Sequence, residues 1–229
     1  MDINRWRHLI GEEDFAAYSK GSFGRRMGFG SHPAILVVDM TYAFVDPAYP
    51  TAFGNRGAQA LEGFSRLLPA ARERSLPIVY SRRNDRRQRW QRGVLDLKWG
   101  LTEDPAWLYD PRADQWPPEI APQQGDAIIE KGKPSCFWET PLRSILTFLG
   151  TDTLIIGGIS TSGCVRAAVT DAFSSNYRVI VPEECCADRS QFAHMANLLD
   201  MDMKFADVVR LEEVLAHLQQ TAIPSSVVG

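Results

Sequence analysis

Three polar residues at the ends of predicted buried strands could together carry out nucleophilic catalysis. Asp39 ends the first apolar run of the chain, Lys131 lies just past the third, and Cys164 follows a turn of small residues after the fourth. A thiolate attacks a carbonyl carbon readily, a carboxylate can accept the thiol proton, and an ammonium stabilises the charged pair. Each residue alone has an ordinary structural alternative: a buried cysteine in a tight turn, a turn carboxylate and a solvated loop lysine.

The turn before Cys164 carries the strongest of these signals. It reads GGISTSGCVRA from Gly157 to Ala167, and its small side chains would let backbone N–H groups face an approaching ligand. A helix is predicted to begin near Cys164. The positive end of that helix would favour the thiolate form, which is the nucleophile.

Short apolar runs that alternate with amphipathic stretches are expected to position these residues. Strands are predicted at 34–38, 77–80, 127–129, 153–156, 178–181 and 207–209, and helices at 56–75, 140–149, 164–175 and 190–204. This alternation is typical of a three-layer, doubly wound α/β sheet of about six strands. Ligands bind at the carboxyl ends of the strands in such sheets, which is where the three candidate residues fall. We predict a single domain over 1–229.

Three parts of the chain lack this alternation of strands and helices: its two ends and one internal segment. Residues 1–30 form a polar arm, predicted to wrap rather than fold alone and to reach a neighbouring subunit, and residues 223–229 a flexible tail. Residues 84–125 are rich in tryptophan and proline, as expected for a wall or lid over a pocket. An arginine cluster within 82–92 is interpreted as a solvated face, or as a surface that gathers anions or holds another subunit.

Composition excludes several classes of function. The 229 residues carry a formal net charge of −3, which gives no long-range attraction to nucleic acid or anionic lipid. No run of 18 or more apolar residues occurs, and the first thirty residues lack the apolar core of a signal peptide. The four cysteines show neither zinc-finger nor thioredoxin spacing. The chain is therefore expected to be cytoplasmic, with reduced thiols and no membrane partner.

Three segments in a fixed order resemble the isochorismatase-like cysteine hydrolase superfamily. They are Ile35–Asp39, Lys131–Phe137 with its Lys-x-x-x-Ser-x-Phe pattern, and Gly158–Val165 with its Gly-x-Ser-x-x-x-Cys-Val pattern. The match continues through Asp171-Ala172-Phe173 and Asn176–Val179, and covers roughly residues 28 to 210. Cys136 departs from the pattern, because many relatives carry alanine there; a small buried hydrophobe is expected at this position.

The resemblance implies a parallel sheet with helices on both faces and a Cys164–Asp39–Lys131 triad. It also implies a cis peptide between Ile159 and Ser160. The backbone N–H groups of Ser160 and Cys164 would then form an oxyanion hole. Cys185 and Cys186 are expected to pack behind the site.

The resemblance further narrows the branch of the family. No histidine follows the second strand, and the four histidines are scattered, so neither a metal site nor another cofactor is expected. Isochorismatases proper need no thiol, which argues against their chemistry. Residues 27–34 and the pair Asp188-Arg189 resemble the N-carbamoylsarcosine amidase and maleamate amidase branch. There an arginine 25 residues beyond the nucleophile binds the substrate carboxylate, and Arg189 holds that place, with Thr161 as a second substrate-binding candidate.

These observations predict an amidohydrolase that releases ammonia from a small carboxylate-bearing amide or ureide through a thioester. A ureidoacrylate or nicotinamide type of amidase is the first alternative, and a non-catalytic binding subunit with the same fold is the second. Relatives form tetramers, so a homo-oligomer is expected, with a small molecule as the substrate.

Overall fold

Seven parallel strands form the centre of the molecule, which a computed structural model describes over residues 3–84, 93–100 and 105–220. The strands are β1 Pro33–Val38, β2 Ile78–Arg83, β3 Ala127–Lys131, β4 Thr153–Ile159, β5 Arg178–Pro182, β6 Cys186–Ala187 and β7 Asp207–Val209. Six of them follow the order β3-β2-β1-β4-β5-β7, and the two-residue β6 pairs with β4. All six predicted strands are confirmed; β6 was not predicted because two residues give no periodic pattern.

Helices cover both faces of the sheet. They are α1 Glu12–Lys20, α2 Tyr42–Val45, α3 Asn55–Glu73, α4 Val94–Trp99, α5 Leu142–Phe148, α6 Arg166–Ser174, α7 Gln191–Lys204 and α8 Leu211–Gln220. Successive residues of β1 point to opposite faces, so Leu36 packs in one core with α5, α6 and α7 while Ile35 packs in the other with α3 and α8. Both residues are fully buried. The predicted doubly wound α/β class is therefore confirmed.

The amino-terminal arm folds onto its own chain. Ile3–Trp6 forms a 3₁₀ helix and α1 follows it, so the arm that was predicted to wrap contains helical turns. Trp6 is buried in the core, and its indole N–H donates to Asp202 Oδ2 at 2.7 Å. Ile3 and Trp6 are the apolar residues of this 3₁₀ helix, and burial of both side chains stabilises its packing on the core. The predicted tail at 223–229 lies outside the described residues.

The segment between β2 and β3 is largely irregular where it is described. It contains α4 and three 3₁₀ turns at Ala106–Tyr109, Pro111–Asp114 and Pro118–Ile120. Trp116 packs edge-on against Tyr80 of β2 at 5.6 Å between ring centroids. This part of the segment is therefore anchored on the sheet. Its predicted role as the wall of a pocket stays a prediction.

The carboxyl-terminal helix α8 was not predicted. Its Leu211, Val214 and Leu218 recur at helical spacing and are buried against α3.

Within the described ranges, no helix is both long and apolar enough to cross a membrane.

Candidate active site

The candidate residues meet where the strand order reverses. β1 lies between β2 and β4. In doubly wound sheets, the loops that leave two such strands run to opposite faces, and ligands bind between them. Asp39 directly follows β1, and Cys164 lies five residues beyond the end of β4. Lys131 is the last residue of edge strand β3 and reaches across β2.

Gly158 allows β4 to approach β1 closely at this point. Its φ is +134°, and a Cβ added there would lie 2.0 Å from the Val38 carbonyl oxygen. Any other residue would collide with the β1 backbone just before Asp39. The glycine therefore fixes the distance between the two strands that carry the proposed base and nucleophile.

The carboxylate of Asp39 is buried and held from both sides. The Ser81 hydroxyl donates to Oδ1 at 2.8 Å, and the Lys131 ammonium lies 2.7 Å from Oδ2. The Asp39 backbone N–H also donates to Ser81 Oγ at 3.1 Å. Asp39 has a φ of +53°, a left-handed conformation that aspartate tolerates better than most residues. The carboxylate is thus fixed in place, with its charge opposite a cation.

Lys131 uses its three donors on three different partners. Besides Asp39 Oδ2, Nζ donates to the Lys133 carbonyl at 3.2 Å and to Cys164 Sγ at 3.4 Å. Burial lowers the pKa of Lys131, but the Asp39 carboxylate and the neighbouring thiols outweigh that effect, and the net pKa is raised. The ammonium therefore stays charged between the carboxylate and the sulfur.

Cys164 lies in a π-helical turn, Thr161–Val165, and α6 begins only at Arg166. The pKa of the Cys164 thiol is raised from 9.0 to about 12: burial is the largest cause, the Asp39 carboxylate acts in the same direction, and Lys131 opposes both. This direction runs against the prediction that the helix end favours a resting thiolate, because desolvation by burial is the largest of these effects. The thiol lies beside a carboxylate that can accept its proton.

The turn that precedes the nucleophile has a defined backbone. The Ile159–Ser160 peptide is cis, and the Ser160 carbonyl accepts from the N–H groups of Gly163 and Val165. Thr161 is fully buried, with its hydroxyl 2.8 Å from Nδ1 of His194. The Thr161 side chain thus contacts α7, and its predicted role in binding substrate stays a prediction.

Arg189 lies near the same corner. One guanidinium nitrogen donates to the Thr51 carbonyl at 2.6 Å, and the group stacks over the ring of Phe53 at 4.0 Å. Burial lowers the pKa of Arg189, while the Asp188 carboxylate and the Cys164 sulfur act in the opposite direction. Asp188, the neighbour of Arg189 in the sequence, accepts the backbone N–H of Ser162 in the turn that carries Cys164, so the two segments lie together.

The other three thiols are fully or nearly inaccessible. Cys136 is completely buried next to Lys131, and burial raises its pKa to about 12. Cys185 and Cys186 are also buried, and Cys186 pairs with Gly158 in the sheet. The predictions that Cys136 is a small buried residue and that the Cys185–Cys186 pair packs behind the turn agree with these positions. Cys164 is the one thiol with partial exposure.

The described arginines of the 82–92 cluster lie on β2 rather than on a loop or helix. Arg82 pairs with Glu130 of the adjacent strand at 2.6 Å. Arg83 pairs with Asp114 and lies over the ring of Trp107. The other four arginines lie outside the described residues. Across the described ranges, no group of three or more His, Cys, Asp and Glu side chains is arranged to hold a metal ion.

Sequence reasoning missed the residues that support the candidate triad. Ser81 was visible only as one polar residue at the end of a predicted strand, and Thr51 and Phe53 stand in an unremarkable loop. Asp188 was noted only for its neighbour Arg189. A signal was present for Ser135 and Asp171, which both belong to the quoted motifs and are 2.5 Å apart, hydroxyl to carboxylate. Pairs that lie far apart in sequence leave no local pattern.

Curated relatives of known activity match most of the chain. A maleamate amidohydrolase of Pseudomonas putida is 32% identical over 211 residues, covering 89% of this chain and 94% of the relative. An N-carbamoylsarcosine amidase of Arthrobacter is 33% identical over 225 residues, covering 95% of this chain and 84% of the relative.

Solved structures and a family model agree with this match. A cysteine hydrolase from Pseudomonas syringae pv. phaseolicola superposes with a TM-score of 0.80 at 22% identity, covering 87% of this chain and 98% of the other. N-carbamoylsarcosine amidase from Thermoplasma acidophilum superposes with a TM-score of 0.64 at 26% identity, covering 79% and 97%. The isochorismatase domain model matches residues 33–213. The predicted resemblance is confirmed, and the chain belongs to the isochorismatase family.

Proposed function

We propose that this protein is a cysteine-dependent amidohydrolase that releases ammonia from a small amide or ureide bearing a carboxylate. One observation carries the proposal: the Lys131 ammonium lies 2.7 Å from Asp39 Oδ2 and 3.4 Å from Cys164 Sγ. A nucleophile, a base and a cation therefore share one buried corner, at the point where a doubly wound sheet binds ligands. A non-catalytic subunit would not need to bury this charged group, which is costly to desolvate.

The first half of the reaction forms a thioester. Asp39 accepts the Cys164 proton as the sulfur attacks the amide carbonyl, because the resting thiol is neutral. Lys131 stabilises the negative charge that then lies on sulfur and on the tetrahedral oxyanion. The backbone N–H groups of Ser160 and Cys164 are the proposed donors to that oxyanion. Asp39 returns the proton to the departing nitrogen, the C–N bond breaks, and ammonia leaves.

The second half of the reaction regenerates the thiol. A water molecule attacks the thioester carbonyl while Asp39 accepts one of its protons. The C–S bond breaks, the proton passes to sulfur, and a carboxylic acid leaves the site. A ureide substrate would give a carbamic acid instead, which decomposes. Every proton transfer in this cycle is assigned to Asp39, which exchanges protons with the Cys164 sulfur, the leaving nitrogen and the attacking water.

Arg189 supports the carboxylate-bearing class of substrate. Its guanidinium is held by Thr51 and Phe53, which leaves donors for a bidentate contact with a planar anion. The names of two relatives, a maleamate amidohydrolase and an N-carbamoylsarcosine amidase, describe amides of this kind. Relatives named ureidoacrylate amidohydrolase match only about half of the chain, at 35% identity over 47% of it.

A panel of four amides tests the proposal. Ammonia release is measured from maleamate, N-carbamoylsarcosine, ureidoacrylate and nicotinamide with the wild-type protein. We expect turnover of maleamate or N-carbamoylsarcosine, and a rise in KM for that substrate in Arg189→Ala. Preferential turnover of nicotinamide would contradict the carboxylate class. Absence of ammonia from all four amides would contradict the amidase proposal.

Chemical labelling gives a test that does not depend on substrate choice. Limiting iodoacetamide should modify Cys164 before the other thiols, because it alone of the four cysteines is partly exposed. Peptide mass spectrometry identifies the labelled residue, and labelling should abolish ammonia release. Equal labelling of Cys136, or full activity after labelling of Cys164, would contradict the assignment of the nucleophile.

A further inference from the structure

The buried carboxylate of Asp188 joins the nucleophile turn to the segment that carries Arg189. Asp188 directly follows β6, which pairs with the last residues of β4. Its Oδ2 accepts the backbone N–H of Ser162 at 2.7 Å, and its Oδ1 accepts the backbone N–H of Arg189 at 2.8 Å. The residue is 5% exposed. One side chain therefore holds the backbone at two places that are 27 residues apart in the sequence.

Both places matter for the proposed reaction. Ser162 lies inside the π-helical turn, midway between Ser160 and Cys164. Arg189 is held again from its other side, since the Arg56 guanidinium donates to the Arg189 carbonyl at 2.5 Å. Hydrogen bonds from backbone N–H groups to an ionised carboxylate are short and strong, so both contacts resist displacement.

We propose that Asp188 is a positioning residue that sets the distance between the nucleophile and the arginine that anchors the substrate. This inference rests on the proposed function, because it assigns Arg189 to the substrate carboxylate. An amide carbonyl must lie within about 3–3.5 Å of the sulfur to react, and a misplacement of about 1 Å can cost about 100-fold in rate. A rigid link between anchor and nucleophile meets that requirement.

Asp188→Asn tests the link. Asparagine keeps the shape of the side chain but replaces one acceptor oxygen with an NH₂ group, which cannot accept from a backbone N–H. We expect kcat/KM for the best amide of the panel to fall by about 10-fold to 100-fold. The loss should include both a lower kcat and a higher KM, because loss of either contact releases the link that holds the Ser162 and Arg189 segments at a fixed distance.

Asp207→Asn is the matched control. Asp207 is 3% exposed and accepts the backbone N–H groups of Met27 and Gly28, at 3.0 and 2.7 Å. It begins β7, at the opposite end of the sheet from the candidate site. Both variants replace a buried carboxylate that accepts two backbone N–H groups, so the control reports the effect of that change far from the candidate site. Asp207→Asn should keep the wild-type kcat and KM.

Arg189→Ala separates positioning from a general weakening of the fold. In the Arg189→Ala background, Asp188→Asn should no longer raise KM, because the anchor is already absent, while its effect on kcat should persist. An undiminished rise in KM in that background would overturn the proposal. Equal kcat/KM in Asp188→Asn and Asp207→Asn would also overturn it.

Two further measurements keep the proposal testable. If Asp188→Asn does not fold, Asp188→Glu retains both acceptor oxygens and adds one methylene, and it should raise KM with a smaller loss of kcat; unchanged kinetics would overturn the proposal. If the wild-type protein hydrolyses none of the amides, the proposed function fails. In that case the iodoacetamide labelling rate of Cys164 tests whether Asp188 positions the turn. Equal rates in Asp188→Asn and Asp207→Asn would contradict a positioning role.

Discussion

The two ends of the sheet use aspartates in different ways. At the amino ends of the strands, Asp152 and Asp207 accept backbone N–H groups from residues 27–32 and so fasten the chain that leads into β1. At the carboxyl ends, Asp39 instead accepts from a serine hydroxyl and a lysine ammonium, beside a thiol. Asp188 lies at the carboxyl ends too, but its partners are backbone N–H groups.

The difference lies in what the partners can exchange. A backbone N–H does not give up its proton, so a carboxylate that it holds can only fix the chain. A thiol gives up its proton to a suitable base, and an ammonium stabilises the charge that results. An aspartate therefore anchors the backbone at the amino ends of the strands, and another aspartate is the proposed base at the carboxyl ends. Variants at the two ends should separate stability from activity.

Removal of the nucleophile should have the largest effect on activity. Cys164→Ala is expected to lower kcat by at least about 10³-fold, because no other described thiol is both accessible and beside Asp39. Its free energy of unfolding should stay within about 1 kcal/mol of the wild type, since only a sulfur atom is removed. Ammonia release and urea denaturation measure the two quantities. Activity above about a tenth of the wild type would contradict the mechanism.

Loss of the cation should affect stability and activity together. Lys131→Met leaves the buried Asp39 carboxylate without its ion-pair partner, and such losses cost about 3–5 kcal/mol of folding free energy. The double variant Asp39→Asn with Lys131→Met should regain part of that stability and remain inactive. Urea denaturation of both variants checks the pair. Recovery of ammonia release in the double variant would show that the reaction does not require the Asp39–Lys131 ion pair.

Removal of the Ser81 hydroxyl should have a moderate effect. Ser81→Ala takes away the donor to Asp39 Oδ1 and the acceptor of the Asp39 N–H. We expect kcat to fall by about 10-fold and KM to stay unchanged, because the hydroxyl touches the proposed base and not the substrate anchor. Ser65→Ala is the control, as the Ser65 hydroxyl donates to the Glu62 carbonyl within α3. A change in KM alone would contradict this role for Ser81.

Alkaline pH should have the smallest effect per residue. Burial raises the pKa of Cys136, Cys164 and Cys186 from 9.0 to about 12. The stability that these thiols contribute is complete below pH 9, where both states are protonated. Above pH 9 only the unfolded state ionises, so the stability that these thiols contribute falls progressively as pH rises toward about 12.

Thermal unfolding between pH 8 and 10.5, in the presence of a reductant, measures this alkaline loss. Cys186→Ala should show a shallower decline in Tm than the wild type, because it removes one of the contributing thiols. An identical decline in the two proteins would show that this thiol is not protected from ionisation in the folded state.

Much of the fold could be predicted because its signals are local. The run 34–38 is apolar at every position, which is typical of a strand buried on both faces, and β1 is so buried. β6 and α1 could not be predicted in the same way. A two-residue strand has no period, and α1 buries none of its residues, so neither leaves a hydrophobic pattern.

The candidate site was predicted unevenly for a related reason. Asp39, Lys131 and Cys164 stand beside recognisable strands and a small-residue turn, so their approach to one edge followed from the order of elements. The contacts of Ser81 and Asp188 join segments that are 42 and 26 residues apart. The residues that neighbour Ser81 and Asp188 in the sequence form no pattern that predicts these contacts.

The amino-acid sequence by itself determined the parallel sheet, the order of its motifs and the three groups that meet at its carboxyl edge, because periodicity and strand ends are properties of short segments. Only the tertiary structure decided that burial raises the pKa of the Cys164 thiol, that Thr161 contacts His194 and that Asp188 links the turn before Cys164 to Arg189. Desolvation and hydrogen bonding depend on atoms brought together from distant parts of the chain, and those distances exist only after folding.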